Sequence, residues 1–150
     1  YNISSPLLFH LLNYRKNIID MTFMLQKEVV ERIVATPGTK AYGRLSVVIQ
    51  AFFDTELMFI VPKESFNPQP KIESAILYLK TKSAPLVQNL HPLEEIVKLA
   101  FSQRRKTLKN CLKSVLDQSQ TQIDLSQRAE MLSLDSFVTL MNDYEKQYRN

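Results

Sequence analysis

IESAILYLK, residues 72–80, alternates: Ile72, Ser74, Ile76 and Tyr78 fall on one side and Ala75 and Leu77 on the other. A period of two predicts a strand with one packed face. Just upstream, KESFNPQPK (63–71) carries Pro68 and Pro70 and cannot join a ladder, because proline lacks the N–H that a ladder needs. Before it, ELMFIVP (56–62) reads as another strand, stopped by Pro62. LSVVIQAFF (45–53) is apolar enough for either element, and Leu45, Val48, Ile49 and Phe52 at i, i+3, i+4, i+7 favour a helix. TPGTKAYGR (36–44) is a loop holding the chain's two glycines, Gly38 and Gly43, with Lys40 and Arg44. KEVVERIVA (27–35) is helical, with Val29, Val30, Ile33 and Val34 on one side, and MTFMLQ (21–26) has strand length. A first helix begins near Ser5-Pro6, a hydroxyl cap followed by a proline at the first helical position. Residues 1–82 therefore read as a mixed α/β unit.

Downstream of residue 80 the strand signals stop. TKSAPLVQNLHP (81–92) is the expected domain boundary. Beyond it LEEIVKLAF (93–101), RRKTLKNCLKSVL (104–116), SQRAEML (126–132) and LDSFVTLMNDYEK (134–146, entered from a Ser133 cap) all read as helices. Residues 83–150 read as a helical segment whose bundle of about 60 residues is marginal alone unless it docks on the first part.

Composition narrows the function. The chain has 150 residues, 45% hydrophobic and 23% charged, an ordinary globular balance. No apolar run approaches the roughly 20 residues of a membrane span. There is no basic-then-apolar leader, and Cys111 has no second cysteine to pair with. The cytosol is the expected compartment. With two glycines in all, no Gly-x-Gly phosphate cradle can be built. His10, His91 and Cys111 have no metal-ligand spacing. The methionines (21, 24, 58, 131, 141) fall at core spacing and are expected to pack.

Charge is informative in its distribution. The net charge is only +4, yet Arg104, Arg105, Lys106, Lys109 and Lys113 follow one another with no acid between Gln103 and Leu116. On a continuous helix at about 100° per residue, Arg105, Lys106, Lys109 and Lys113 share an arc opposite Leu108, Cys111, Leu112 and Val115. An all-cationic face suits a phosphate backbone; the alternative is a solvated face that keeps the protein soluble. Arg104 projects toward the apolar side, where pairing with a buried or interdomain acid is the alternative to RNA contact. Lys40 and Arg44 are further candidates to grip RNA, against the alternative of ordinary solvated loop charges.

YNISSP (1–6), SFNPQPKIESA (65–75) and AFSQRRKTLKN (100–110) together resemble the KsgA/RsmA family of small-subunit ribosomal RNA adenine dimethyltransferases. LQKEVVERIVATPGTKAYGRLSV (25–47) and LSQRAEMLSLDSFVTL (125–140) are also similar to it, so the likeness covers nearly all of the chain in family order. The resemblance implies the C-terminal half of a Rossmann-like methyltransferase domain (1–82), then a small all-α RNA-binding domain (83–150). It implies methyl transfer from S-adenosylmethionine to two adjacent adenosines near the 3′ end of 16S rRNA, with the small-subunit precursor as partner. The family motif Asn-Leu-Pro-Tyr precedes Asn-Ile-Ser, so Tyr1 matches its last residue. The resemblance places the cofactor-binding half upstream of this chain. Tyr1 and Phe66 then match the aromatic residues that cover the target base. A large-subunit rRNA adenine methyltransferase and a non-catalytic RNA-binding or ribosome-assembly module are the competing readings.

Overall fold

The computed structural model describes residues 3–148. Helix α1 (Ser4–Leu12) leads into strand β1 (Asp20–Gln26), then α2 (Lys27–Val34), α3 (Arg44–Phe52) and β2 (Phe53–Val61). Strand β3 (Ser74–Thr81) is followed by α4 (Leu90–Ala100), α5 (Leu108–Leu112) and α6 (Leu134–Tyr148). The sheet has three strands in the order β1-β3-β2, with β3 antiparallel to both neighbours. The alternating stretch 72–80 thus supplies the central strand. Ala75, Leu77 and Leu79 point from it into the core, and α2 and α3 pack against the sheet.

The opposite sheet face is open. Met24 and Phe59 flank Ile76 there and are 44% and 58% exposed. A register shift between Leu57 and Phe59 leaves Met58 outside the regular pairing and exposed. The expectation that the methionines pack is corrected: Met141 is buried, whereas Met24, Met58 and Met131 are exposed. Met24 falls on the uncovered half of the alternation.

Two helix boundaries also differ from expectation. α1 is capped at Ile3 with no side-chain bond, and Ser4, not Ser5, is the buried serine of its first turn. The continuous helix over 104–116 shrinks to the five residues of α5. Thr107 ends the preceding turn by accepting the Asn110 N–H on its hydroxyl at 3.5 Å. The amides of Leu108 and Lys109 donate to the carbonyls of Gln127 and Leu125 at 2.9 and 2.8 Å. These amides are the first-turn donors that a helix leaves unpaired, so the chain takes a non-local partner in place of a longer helix. The stretch SQRAEML likewise holds a single 3-10 turn, Ala129–Met131.

The segment over 81–92, the expected domain boundary, is pinned. Lys82 and Leu86 amides donate to the carbonyls of Phe52 and Ala51. Arg15 bonds the carbonyls of Leu12 and Gln88 and places its guanidinium 4.5 Å from the Phe52 ring centroid. Buried side chains on both sides of the segment form one cluster, running from Val47, Val48 and Phe52 on α3 through Leu93, Ile96 and Val97 on α4 to Phe137 and Leu140 on α6. Phe101 stacks on Phe137 at 5.6 Å and meets Tyr42 edge-on at 6.2 Å. The helical segment therefore finds the docking surface that its size demands.

Candidate nucleic-acid interface

The loop between α2 and α3 carries the first group of candidate cations. Pro37-Gly38 turns it, with Gly38 at φ +85°, a region that side chains with a Cβ rarely adopt. The Thr39 hydroxyl donates to the Thr36 carbonyl at 2.7 Å, and the Tyr42 amide returns to the Thr39 carbonyl. Gly43 then opens α3: its N–H donates to the Ser46 hydroxyl, which itself donates to the Arg32 carbonyl of α2. Tyr42 is fully buried and donates its hydroxyl to the Leu132 carbonyl at 2.7 Å. Burial pushes the Tyr42 phenol well above the usual tyrosine range, because the phenolate would lose its hydration there.

Between this loop, α1 and α2 lies a cleft of about 730 Å³, to which Lys40, Arg44 and Arg104 all contribute. The Arg44 guanidinium sits 5.2 Å from the Phe9 ring centroid, a cation–π arrangement that fixes the charge without neutralising it. Arg32, also at the cleft, is occupied by Glu28 at 2.8 Å. Arg104 is different again. One of its terminal nitrogens donates to the carbonyls of Lys40 and Tyr42, the latter at 3.2 Å, and its Nε faces Glu130 at 3.6 Å. The acid that faces Arg104 is Glu130, which is half-buried and lies on the same helical segment as Arg104 rather than across the expected domain boundary.

The second group of cations is spread over a turn and a short helix. Arg105 and Lys106 lie in the turn before Thr107, Lys109 on α5 and Lys113 just after it, and all four are exposed. Among the described residues none of the four is in an ion pair. Their common arc on one long helix is lost with that helix, and the exposed cationic segment remains.

Phe66 follows the 3-10 turn Lys63–Ser65 in extended backbone and is half-buried. A cleft of about 420 Å³ opens beside that loop, lined by Gln26, Lys27, Glu28, Glu31, Lys63, Lys71, Ile72 and Glu73 but not by Phe66. Lys27 there is balanced by Glu73 and Glu31 at 3.4 and 3.9 Å, which makes this cleft a poor anion site. Tyr1 lies outside the described residues.

The family signature of ribosomal RNA adenine dimethylase matches residues 1–146. The chain belongs to the ribosomal RNA adenine dimethylase family. Relatives named ribosomal RNA small subunit methyltransferase A from Francisella tularensis subsp. novicida and subsp. tularensis are 53% identical over 148 residues, covering 95% of this chain and 56% of theirs. The chain thus spans about half the length of the curated relatives it matches. A dimethyladenosine transferase from Plasmodium falciparum superposes with a TM-score of 0.84 at 24% identity, covering 98% of this chain and 64% of its own. The 23S rRNA methyltransferase ErmE superposes at 0.70 with 22% identity, covering 97% of this chain and 62% of its own. Both show the fold.

The family fold raises the question of where a methyl donor would sit. Both glycines lie between two helices, Gly38 at a turn against Met131 and Gly43 at the start of α3. Neither forms the strand-to-helix turn by which backbone approaches a nucleotide cofactor.

Sequence reasoning found the cleft's Lys40, Arg44 and Arg104 but missed Glu130, Tyr42 and Phe9. The Arg104 and Tyr42 bonds span 64 and 90 residues of sequence, and no local periodicity encodes such pairs.

Proposed function

We propose that this chain is the C-terminal part of an S-adenosylmethionine-dependent dimethyltransferase acting on two adjacent adenosines near the 3′ end of 16S rRNA. Residues 1–82 complete its methyltransferase domain and residues 83–150 form its helical rRNA-binding domain. The observation that carries this reading is the 53% identity to proteins named ribosomal RNA small subunit methyltransferase A, sustained over 148 residues. That identity favours the small-subunit substrate over the large-subunit one, since ErmE shares only 22%.

The roles follow from chemistry. S-adenosylmethionine, when bound, supplies an electrophilic methyl group on a sulfonium, and the part of the protein upstream of this chain holds it. An adenine amine is a weak nucleophile because its lone pair is delocalised into the ring. Catalysis therefore rests on positioning and electrostatics more than on a strong base. The target base must leave its stack and lie against aromatic faces, the role assigned to Tyr1 and Phe66. Phe66 stands where β2 gives way to a loop stiffened by Pro68 and Pro70, which suits an aromatic wall. Lys40 and Arg44 in the cleft, and Arg105, Lys106, Lys109 and Lys113 on the exposed segment, meet RNA phosphates. On this reading the protein works where small-subunit precursors are, in the cytoplasm.

A non-catalytic RNA-binding module is separated from the enzyme by calorimetry with S-adenosylmethionine. The chain alone is expected to show no binding, and the same chain extended upstream to the length of its relatives is expected to bind at micromolar concentration. Absence of binding by the extended protein would overturn the enzyme reading.

A further inference from the structure

Two residues of the C-terminal segment, Glu130 and Leu132, hold the 36–44 loop. The Glu130 carbonyl accepts the Gly38 N–H at 2.7 Å, and the Leu132 carbonyl accepts the Tyr42 hydroxyl at 2.7 Å; the exposed Met131 between them places its methyl end beside Gly38. Arg104 closes the same contact from a third segment, binding the carbonyls of Lys40 and Tyr42 while facing the Glu130 carboxylate. A guanidinium offers five donors in a planar fork. Here one terminal nitrogen serves two loop carbonyls and Nε faces one acid, so that side of the fork is turned into the protein and Glu130 balances its charge. Lys40 and Arg44 differ, in that among the described residues neither is in an ion pair and both line the cleft.

We propose that Arg104, with Glu130, is a positioning residue: it fixes the 36–44 loop so that Lys40 and Arg44 meet RNA phosphates, and it does not itself grip RNA. This deepens the RNA-binding reading above and rests on it. Two interactions that look alike in sequence, Arg104 and Arg105, thereby divide into a tie inside the protein and a contact outside it.

The test uses the whole enzyme, comparing Arg104→Lys, Glu130→Gln, the double variant and Lys40→Ala. Binding to small ribosomal subunits lacking the modification is measured over a salt series. The Arg104 and Glu130 side chains are 51% and 26% exposed, so these substitutions leave the core closed, and unchanged melting temperatures check this. Arg104→Lys keeps the charge but loses the fork. It is expected to weaken binding about three- to ten-fold, Glu130→Gln by a similar factor, and the double variant no further, as coupled residues do. Lys40→Ala is expected to flatten the log–log salt slope by up to about one unit. Amide exchange at Gly38 should quicken in both single variants, a readout independent of RNA. Full binding by Arg104→Lys, or tighter binding by Glu130→Gln, would overturn the proposal, because removing a competing acid should free a phosphate-binding guanidinium. Unchanged Gly38 exchange in both variants would overturn it too. Loss of salt-dependent binding by the unsubstituted protein would instead overturn the rRNA reading, while the exchange experiment still decides the tie.

Discussion

Replacing Tyr42 with Phe removes one oxygen from the centre of the contact between the loop and the C-terminal segment. The ring is fully buried and its edge-on contact with Phe101 at 6.2 Å would survive. The loss is therefore confined to the bond from the hydroxyl to the Leu132 carbonyl at 2.7 Å. An orphaned buried carbonyl costs about 1–3 kcal/mol, more than the net worth of an average hydrogen bond. The effect should also depend on pH. The folded protein holds the Tyr42 proton more tightly than the unfolded chain does, because burial raises its pKa. Above about pH 10 the unfolded state releases that proton while the native state keeps it, so this stabilisation falls by up to ~1.4 kcal/mol per pH unit. Phe cannot titrate. Urea unfolding of both proteins should give a deficit of about 1–3 kcal/mol for Tyr42→Phe at pH 8. By pH 11 the deficit should narrow by about 1 kcal/mol. A deficit that stays constant from pH 8 to 11 would refute the buried, raised phenol, and no deficit at pH 8 would refute the hydrogen bond.

Changing Arg105, Lys106 and Lys109 to Ala should weaken binding to small ribosomal subunits and flatten the salt slope by up to about one unit per lost phosphate contact. An unchanged slope would return them to a merely solvated face. Phe66→Ala should lower methyl transfer by the whole enzyme about 5- to 150-fold, the cost of one base–aromatic stack of about 1–3 kcal/mol, with subunit affinity little altered; equal loss of affinity would make Phe66 a structural plug. Thr107→Ala should destabilise the chain by about 1 kcal/mol through loss of the α5 cap, read as a shift in the urea midpoint.

Periodicity exposed much of the fold because it reports burial. β3 and α3 were legible since Ala75, Leu77 and Leu79 on one, and Val48, Ile49 and Phe52 on the other, all face the core. α6 was legible through Phe137, Leu140, Met141 and Tyr144 for the same reason. The same rule misread the cationic segment. Leu108, Cys111 and Leu112 are buried at helical spacing, but the helix's start is set by bonds to Leu125 and Gln127 that a local pattern does not contain. Met24 and Phe59 look like core residues and are exposed, since alternation fixes which residues share a sheet face and not whether that face is covered. The base-covering roles proposed for Tyr1 and Phe66 rest on a family motif alone. Glu130, which ties the loop, carries no local signal of its role.

The most direct test is methyl transfer itself. The whole protein should move labelled methyl groups from S-adenosylmethionine onto unmodified small ribosomal subunits, and mapping should place dimethyladenosine at two adjacent positions near the 3′ end of 16S rRNA. Label appearing in 23S rRNA, or none in either RNA from a folded protein that binds the donor, would contradict the account.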